Sequence, residues 1–323
     1  MKSSANKIDN IQLLRFFAAI SVVFFHSSKY LENLTGESAS LIVSFFNPIG
    51  AIGVDIFFVI SGFVITYSQN NRMRKYIPFL KERYLRISPI YYVYTCIFIF
   101  LSVFFGTDSI LTDETLNMGL LFCSVTYTCQ ILGYQNPIIL VGWTLEYEMA
   151  FYVLAGVMSF KSKLVGYGII TVWFIFLVFL GLDWIIFEFL FGVSSYYLWT
   201  KLRGNPYTNV MAFCCIFLAI FVLSTVDFHR VLNWGIFGFL LVLAAALLPN
   251  MGNYYWNFLG AASYSIYLVQ VITLPAFFKV IGIIGLIHGE LITFLLAAII
   301  TLIAGVVSFQ YVEKPLGQLM RKL

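Results

Sequence analysis

Ten stretches of about 20 mostly apolar residues follow one another along the chain, near 11–31, 49–68, 88–106, 138–160, 164–182, 184–200, 208–226, 231–248, 257–278 and 289–311. That length crosses the hydrocarbon core of a bilayer. Within lipid only a helix or a closed barrel satisfies its own backbone hydrogen bonds. The chain therefore reads as an all-α polytopic integral membrane protein with about ten transmembrane helices. Composition closes off a soluble fold. Hydrophobic residues make up 61% and charged residues 11% of the 323, whereas a soluble domain carries about a quarter charged residues. Such a fold could not cover its surface with polar groups. The net charge of +4 is small and gives no sign of a nucleic-acid partner.

Proline placement agrees with this segmentation. Pro48, Pro78, Pro89, Pro137, Pro206, Pro249 and Pro315 fall between spans or at helix starts, where a missing N–H costs little. Ser88-Pro89 reads as the cap and first residue of the third span. Pro275 lies inside a span, where a kink is expected. Residues 164–200 read either as two spans or as one bent, re-entrant unit.

Basic residues set the orientation. With Met1 in the cytosol, 15 of the 19 Lys and Arg fall on inner segments, among them Arg72, Arg74, Lys81, Arg83, Arg86, Lys161, Lys201, Arg203 and Lys314. Lys29, Arg230 and Lys279 fall outside. The positive-inside rule then places both termini in the cytosol. The first span carries Arg15 and His26, lacks a small-residue cleavage pattern and is too long for a signal-peptide core. Residues 1–323 are expected to form a single transmembrane domain with no appended soluble domain. The longest loop, roughly 107–137, is external and acidic through Asp108, Asp113 and Glu114, and its apolar part from Leu116 to Leu132 can dip into the membrane. Cys123 and Cys129 lie in it. They could bridge on the oxidising side, but their spacing matches no disulfide framework, so two free thiols are expected. No Cys/His cluster has zinc-ligand spacing, and no metal is expected.

Ionisable groups inside membrane helices are costly and by default mark functional positions. Six stand out: Arg15, His26, Asp55, Glu146, Glu148 and Glu188. Arg15 and His26 are about 20° from a whole number of turns apart, roughly 16 Å along the axis, so they share a helix face. His26 suits general-base work near neutrality; a structural His bonded to a backbone carbonyl is the competing reading. Asp55 lies between Gly53 and Gly62, which permit close helix approach. It either orients a neighbour or caps the second span. Arg83 and Arg86, three apart, present two guanidinium forks on one side. Such forks suit phosphate or pyrophosphate, while contact with anionic lipid headgroups is favoured on charge alone. Glu146 and Glu148, about 200° apart on a helix, face nearly opposite ways and form no acid–base dyad. Tyr152 sits one turn beyond Glu148 and can hydrogen-bond it. Glu188 has no evident partner.

Taken in order, these segments resemble membrane acyltransferase family 3, the bacterial O-acyltransferases of surface polysaccharides. The resemblance spans almost the whole chain. It rests on Arg15 and His26 in the first span, Gly53-Val54-Asp55-Ile56-Phe57-Phe58-Val59-Ile60-Ser61-Gly62-Phe63 in the second and Arg83-Tyr84-Leu85-Arg86-Ile87-Ser88-Pro89 at the start of the third. Trp143-Thr144-Leu145 with Glu148, Phe151 and Tyr152, then Ser263-Tyr264-Ser265-Ile266-Tyr267-Leu268, then Val312-Glu313-Lys314-Pro315 complete it. Two departures stand out. Gln270 occupies a position that is often His, and Glu146 one that is often a small residue. The family's frequent fused esterase-like domain is not expected here.

The resemblance implies an acyl-CoA donor, usually acetyl-CoA, and a glycan or lipid-linked saccharide acceptor, at a bacterial inner membrane whose lipids surround the spans. It implies His26 and Glu148 as catalytic, Arg15, Arg83 and Arg86 as holding the CoA phosphates, and Asp55, Trp143 and Tyr152 as facing substrate. His26, with Glu148 or Asp55 as partner, would deprotonate the attacking hydroxyl. No Ser or Cys sits in a nucleophile motif, so transfer is expected to be direct. A transporter also needs buried charges, but it predicts two halves with matching interrupted helices, and no repeat is visible. A structural scaffold predicts that His26→Ala lowers stability rather than abolishing an activity.

Overall fold

Apolar residues on every helix face leave lipid or another helix as the only stable surroundings, and long helices result. The computed structural model describes residues 8–36, 41–71, 75–105, 116–155, 163–225, 229–285 and 289–321. Lys2, Lys7, Arg72, Arg74, Lys161, Lys322, Asp108, Asp113 and Glu114 lie outside the described residues. Among the described residues the helices are α1 (Asp9–Thr35), α2 (Leu41–Asn71), α3 (Tyr76–Phe105), α4 (Met118–Thr126), α5 (Trp143–Ala155), α6 (Lys163–Phe179), α7 (Glu188–Leu202), α8 (Thr208–Thr225), α9 (Arg230–Leu247), α10 (Tyr254–Ile284), α11 (Glu290–Ser308) and α12 (Lys314–Met320). No strand occurs among them.

Among the described residues six helices are long and apolar enough to cross a membrane: α1, α2, α3, α9, α10 and the rod from Glu290 to Met320. Shorter apolar helices cover Val165–Phe179 and Thr208–Ser224. Residues 164–200 form two helices rather than one bent unit. Gly181, at φ 114°, turns the chain after α6. Asp183 then caps the short turn Trp184–Phe187 ahead of α7, its Oδ1 accepting from the Ile185 N–H at 2.9 Å.

Two expected helix starts move most. α2 starts at Leu41 and encloses Pro48. α3 runs unbroken from Tyr76, so Pro89 is interior rather than the first helical residue. An interior proline costs about 3 kcal/mol in an isolated helix. Tertiary packing offsets that cost here, because Ile87, Ser88, Ile90 and Tyr91 are all buried. Two hydroxyls also bind this stretch: Tyr264 Oη donates to the Ile87 carbonyl at 3.0 Å and Tyr127 Oη to Ser88 Oγ at 2.9 Å.

α2 is the central element, packed on α1, α7 and α9 and touching α5. Glycines set those distances, as the sequence implied for Gly53 and Gly62. A Cβ on Gly53 would stand 2.5 Å from the Ala18 carbonyl oxygen, and one on Gly62 2.1 Å from that of Phe189. Backbone therefore meets backbone on both sides of α2. An aromatic stack binds α2, α5 and α7, with Phe189 4.8 Å from Phe58 and 4.5 Å from Phe151.

The expectation of free thiols in the long loop fails, since Cys123 and Cys129 are disulfide-bonded. α4 ends on Tyr127 in the left-handed region (φ 59°). The return turn brings the two Cα atoms to 4.6 Å, within bonding range. Glu146 fastens this turn, accepting the N–H groups of Cys129 and Gln130 at 3.0 and 3.1 Å. A single local loop of this kind needs no multi-cysteine framework, which is why spacing did not reveal it.

Candidate active site

Arginines from two helices converge because α1 and α3 both border the cavity that α2 and α5 wall. Arg15 (α1), Arg83 and Arg86 (α3), Glu148 and Tyr152 (α5) all line one cavity, and a few convergent polar groups on an apolar wall suit a ligand. Its apolar wall comes from Val54, Phe57, Phe58 and Ile65, and Tyr264 and Tyr267 of α10 close it. Arg83 is only 5% exposed. It lies over the Phe79 ring at 5.5 Å, and an Nη2–H reaches Ser68 Oγ at 3.5 Å. Arg86 is exposed.

Glu148 projects into this cavity. It accepts from Tyr152 Oη and, at 3.2 Å, from Ser61 Oγ. It also stands within electrostatic reach of Arg15, as do Arg86 and Glu313. Glu146 turns the other way, onto the disulfide loop, as the helical spacing predicts. Glu313 reaches the cluster from beyond α11 and is held by Ser265 Oγ at 2.5 Å. The motif around it was visible in the sequence; its place beside the arginines was not.

At the other end of the cavity Tyr267 Oη donates to the Val141 carbonyl at 3.0 Å and lies 2.9 Å from Thr144 Oγ1. One turn further along α10 is Gln270. Its Nε2–H donates to the Tyr267 carbonyl at 2.9 Å, and its Oε1 lies 3.3 Å from His26 Nδ1. His26 is thus bonded by Gln270 rather than by Glu148 or Asp55, and it sits off the lining of the arginine cavity. The Gln270 amide is oriented by a carbonyl, so its Oε1 faces His26, and this contact is a hydrogen bond in the tautomer with the proton on Nδ1; the imidazole also bonds the Val22 backbone, as a structural His would. That tautomer leaves the lone pair on Nε2, the state a base needs.

Asp55 and Trp143 fall elsewhere. Asp55 lies deep within α2 and is fully buried, so it caps nothing. Its carboxylate accepts Nε–H and Nη2–H of Arg230 at 3.2 and 3.1 Å, a two-point pair. Glu188, also fully buried, lies beside that pair. Trp143 and Arg230 line a second cavity, together with Gln130, Tyr147, Asp183 and Trp184. Phe58, on the first cavity, meets Trp143 edge-on at 6.3 Å and stacks on Tyr147 at 5.8 Å. An aromatic partition therefore stands between the two spaces. Among the described residues no group of three or more His, Cys, Asp or Glu could hold a metal ion.

A multi-pass helical bundle with an arginine-lined cavity and an interior carboxylate falls into a recognised class. A family model described as an acyltransferase domain matches residues 8–310, and the chain belongs to membrane acyltransferase family 3. It is similar to the exopolysaccharide production protein ExoZ of Rhizobium meliloti (strain 1021), with 30% identity over 290 residues covering 83% of this chain and 90% of that protein. No solved structure matches significantly.

Proposed function

We propose that this protein transfers an acyl group, acetyl in the simplest case, from cytosolic acyl-CoA to a hydroxyl of a surface polysaccharide or lipid-linked sugar. The single observation that carries the donor assignment is the cavity holding Arg15, Arg83, Arg86 and Glu148. Three guanidinium groups against Glu148 and Glu313 leave a net positive entrance, and forked N–H donors match phosphate oxygens. The positive-inside bias puts that entrance in the cytosol of a bacterial cell, with the protein in the inner membrane. The apolar wall of Val54, Phe57 and Ile65 suits the pantetheine arm.

In the proposed step an acceptor hydroxyl gives its proton to His26 Nε2 as its oxygen bonds to the thioester carbonyl carbon. The carbon–sulfur bond then breaks, and the CoA thiolate takes a proton back from His26. The ester and free CoA are the products. Gln270 holds the imidazole by its Nδ1–H. Glu148, held by Tyr152 and Ser61, meets Arg15 at the phosphate end of the cavity, and the pantetheine arm carries the thioester past Tyr267 toward His26. No acyl-enzyme is needed. The reading is tested by incubating the purified protein in lipid with acetyl-CoA and a glycan acceptor and following both CoA release and ester formation. Equal amounts of each support it. A trapped acyl-enzyme on mass spectrometry would overturn the direct step, and CoA release without ester would overturn the acceptor assignment.

A further inference from the structure

The second cavity, about 550 Å³, lies across the Phe58 partition from the arginine cavity and plays no part in holding the donor. Its lining combines two kinds of group. Trp143, Tyr147 and Trp184 offer aromatic faces, and Gln130, Asp183 and Arg230 offer polar ends. Trp184 is 52% exposed and stacked on Phe187 at 5.6 Å, so its ring is braced while much of its surface stays open. Few polar groups placed around aromatic surface are what fix an amphipathic ligand. A sugar ring is such a ligand, with C–H bonds on its faces and hydroxyls at its rim.

The polar groups are held in place before any ligand arrives. Tyr147 Oη donates to Gln130 Oε1 at 2.6 Å and accepts the Asp183 N–H at 2.8 Å. Gln130 follows the disulfide, and its own N–H is fixed by Glu146. Arg230 spends two of its five N–H donors on Asp55, and its side chain keeps 41% exposure. The charges then decide which sugar. Asp55 neutralises Arg230, and the exposed Asp183, within electrostatic reach of Arg230, leaves one negative charge in excess at the rim. A carboxylate-bearing sugar meets that charge, whereas a neutral one can donate hydroxyls to it.

We propose that this cavity holds a sugar ring of the acceptor chain other than the one acylated beside His26, and that it takes an uncharged ring, stacked on Trp184, with hydroxyls bonded to Asp183, Gln130 and Arg230. The proposal rests on the acyltransferase reading for its biological meaning, but sugar binding is measurable without transfer. Saturation-transfer NMR on the whole protein in nanodiscs, with methyl glucoside and methyl glucuronide as matched probes, tests it. Wild type is expected to bind the glucoside at least ten-fold more tightly than the glucuronide. Trp184→Ala is expected to weaken the glucoside at least ten-fold while CoA binding is unchanged. Asp183→Asn keeps a side-chain oxygen for the Ile185 N–H cap, and it is expected to narrow the neutral-over-acidic preference to within about three-fold. Sugar contacts unchanged in Trp184→Ala, equal binding of the two probes by wild type, or a preference that survives Asp183→Asn would each overturn the proposal. Sugar binding as expected with no acetyl transfer would leave this site standing and overturn the acyltransferase reading alone.

Discussion

Gln270 Oε1 stands 3.3 Å from His26 Nδ1, joining α10 to α1 between residues 244 positions apart. The Gln270 amide is itself fixed by the Tyr267 carbonyl, and Tyr267 lines the donor cavity. One chain of contacts therefore runs from the cavity wall to the imidazole. His26→Ala should lower kcat by roughly 10²–10⁴-fold, the usual contribution of a positioned base. Gln270→Leu should lower kcat less and leave KM for acyl-CoA unchanged, because it frees the tautomer and ring angle without removing the base. Gln270→Glu, which keeps an acceptor at that place, should restore most of the loss. Steady-state kinetics with donor and acceptor varied separately check all three.

Arg86 is the exposed member of the arginine group and the one whose removal least disturbs packing. Arg86→Gln should raise the Kd for CoA by about 10-fold, in line with roughly 1.5 kcal/mol for a hydrogen bond to a charged group. Dephospho-CoA titrated in parallel shows which phosphate is read. If wild type and variant bind CoA equally well, the arginines serve lipid headgroups instead.

Asp55 and Arg230 form a pair in which one carboxylate is fully buried. Arg230→Met leaves that carboxylate without its cation and should cost roughly 3 kcal/mol or somewhat less, since Arg230 is partly exposed. The double variant Asp55→Asn with Arg230→Met should be more stable than Arg230→Met alone. Thermal unfolding in detergent, compared across the cycle, gives the coupling. Equal midpoints for the single and double variants would argue against the pair.

The Cys123–Cys129 disulfide predicts a labelling pattern. Under denaturing, non-reducing conditions a maleimide should reach Cys96, Cys214 and Cys215 but neither loop cysteine. Reduction should add both. Mass spectrometry of the peptides decides it, and a labelled Cys123 without reductant would contradict the bond.

Much of this was readable from local spacing. The apolar lengths gave an all-helical membrane protein, the two-residue offset separated Glu146 from Glu148, and one helical turn joined Glu148 to Tyr152. What was hidden is pairing at a distance. Asp55 and Arg230 are 175 residues apart, and nothing in either segment names the other. The same holds for Gln270, whose departure from the common His is legible while its hydrogen bond to His26 is not. Pro89 was misplaced for a related reason, since its local preference for a helix start yields to burial on both sides of it.

The central claim is acyl transfer from CoA with His26 as base. Its most direct test is radiolabelled acetyl-CoA supplied to membranes carrying wild type or His26→Ala at matched, folded levels, with label counted in extracted glycan. The account predicts label with wild type and loss of nearly all of it with the variant. Equal label in both would contradict the role of His26, and no label in either, with a competent acceptor present, would contradict the transfer itself.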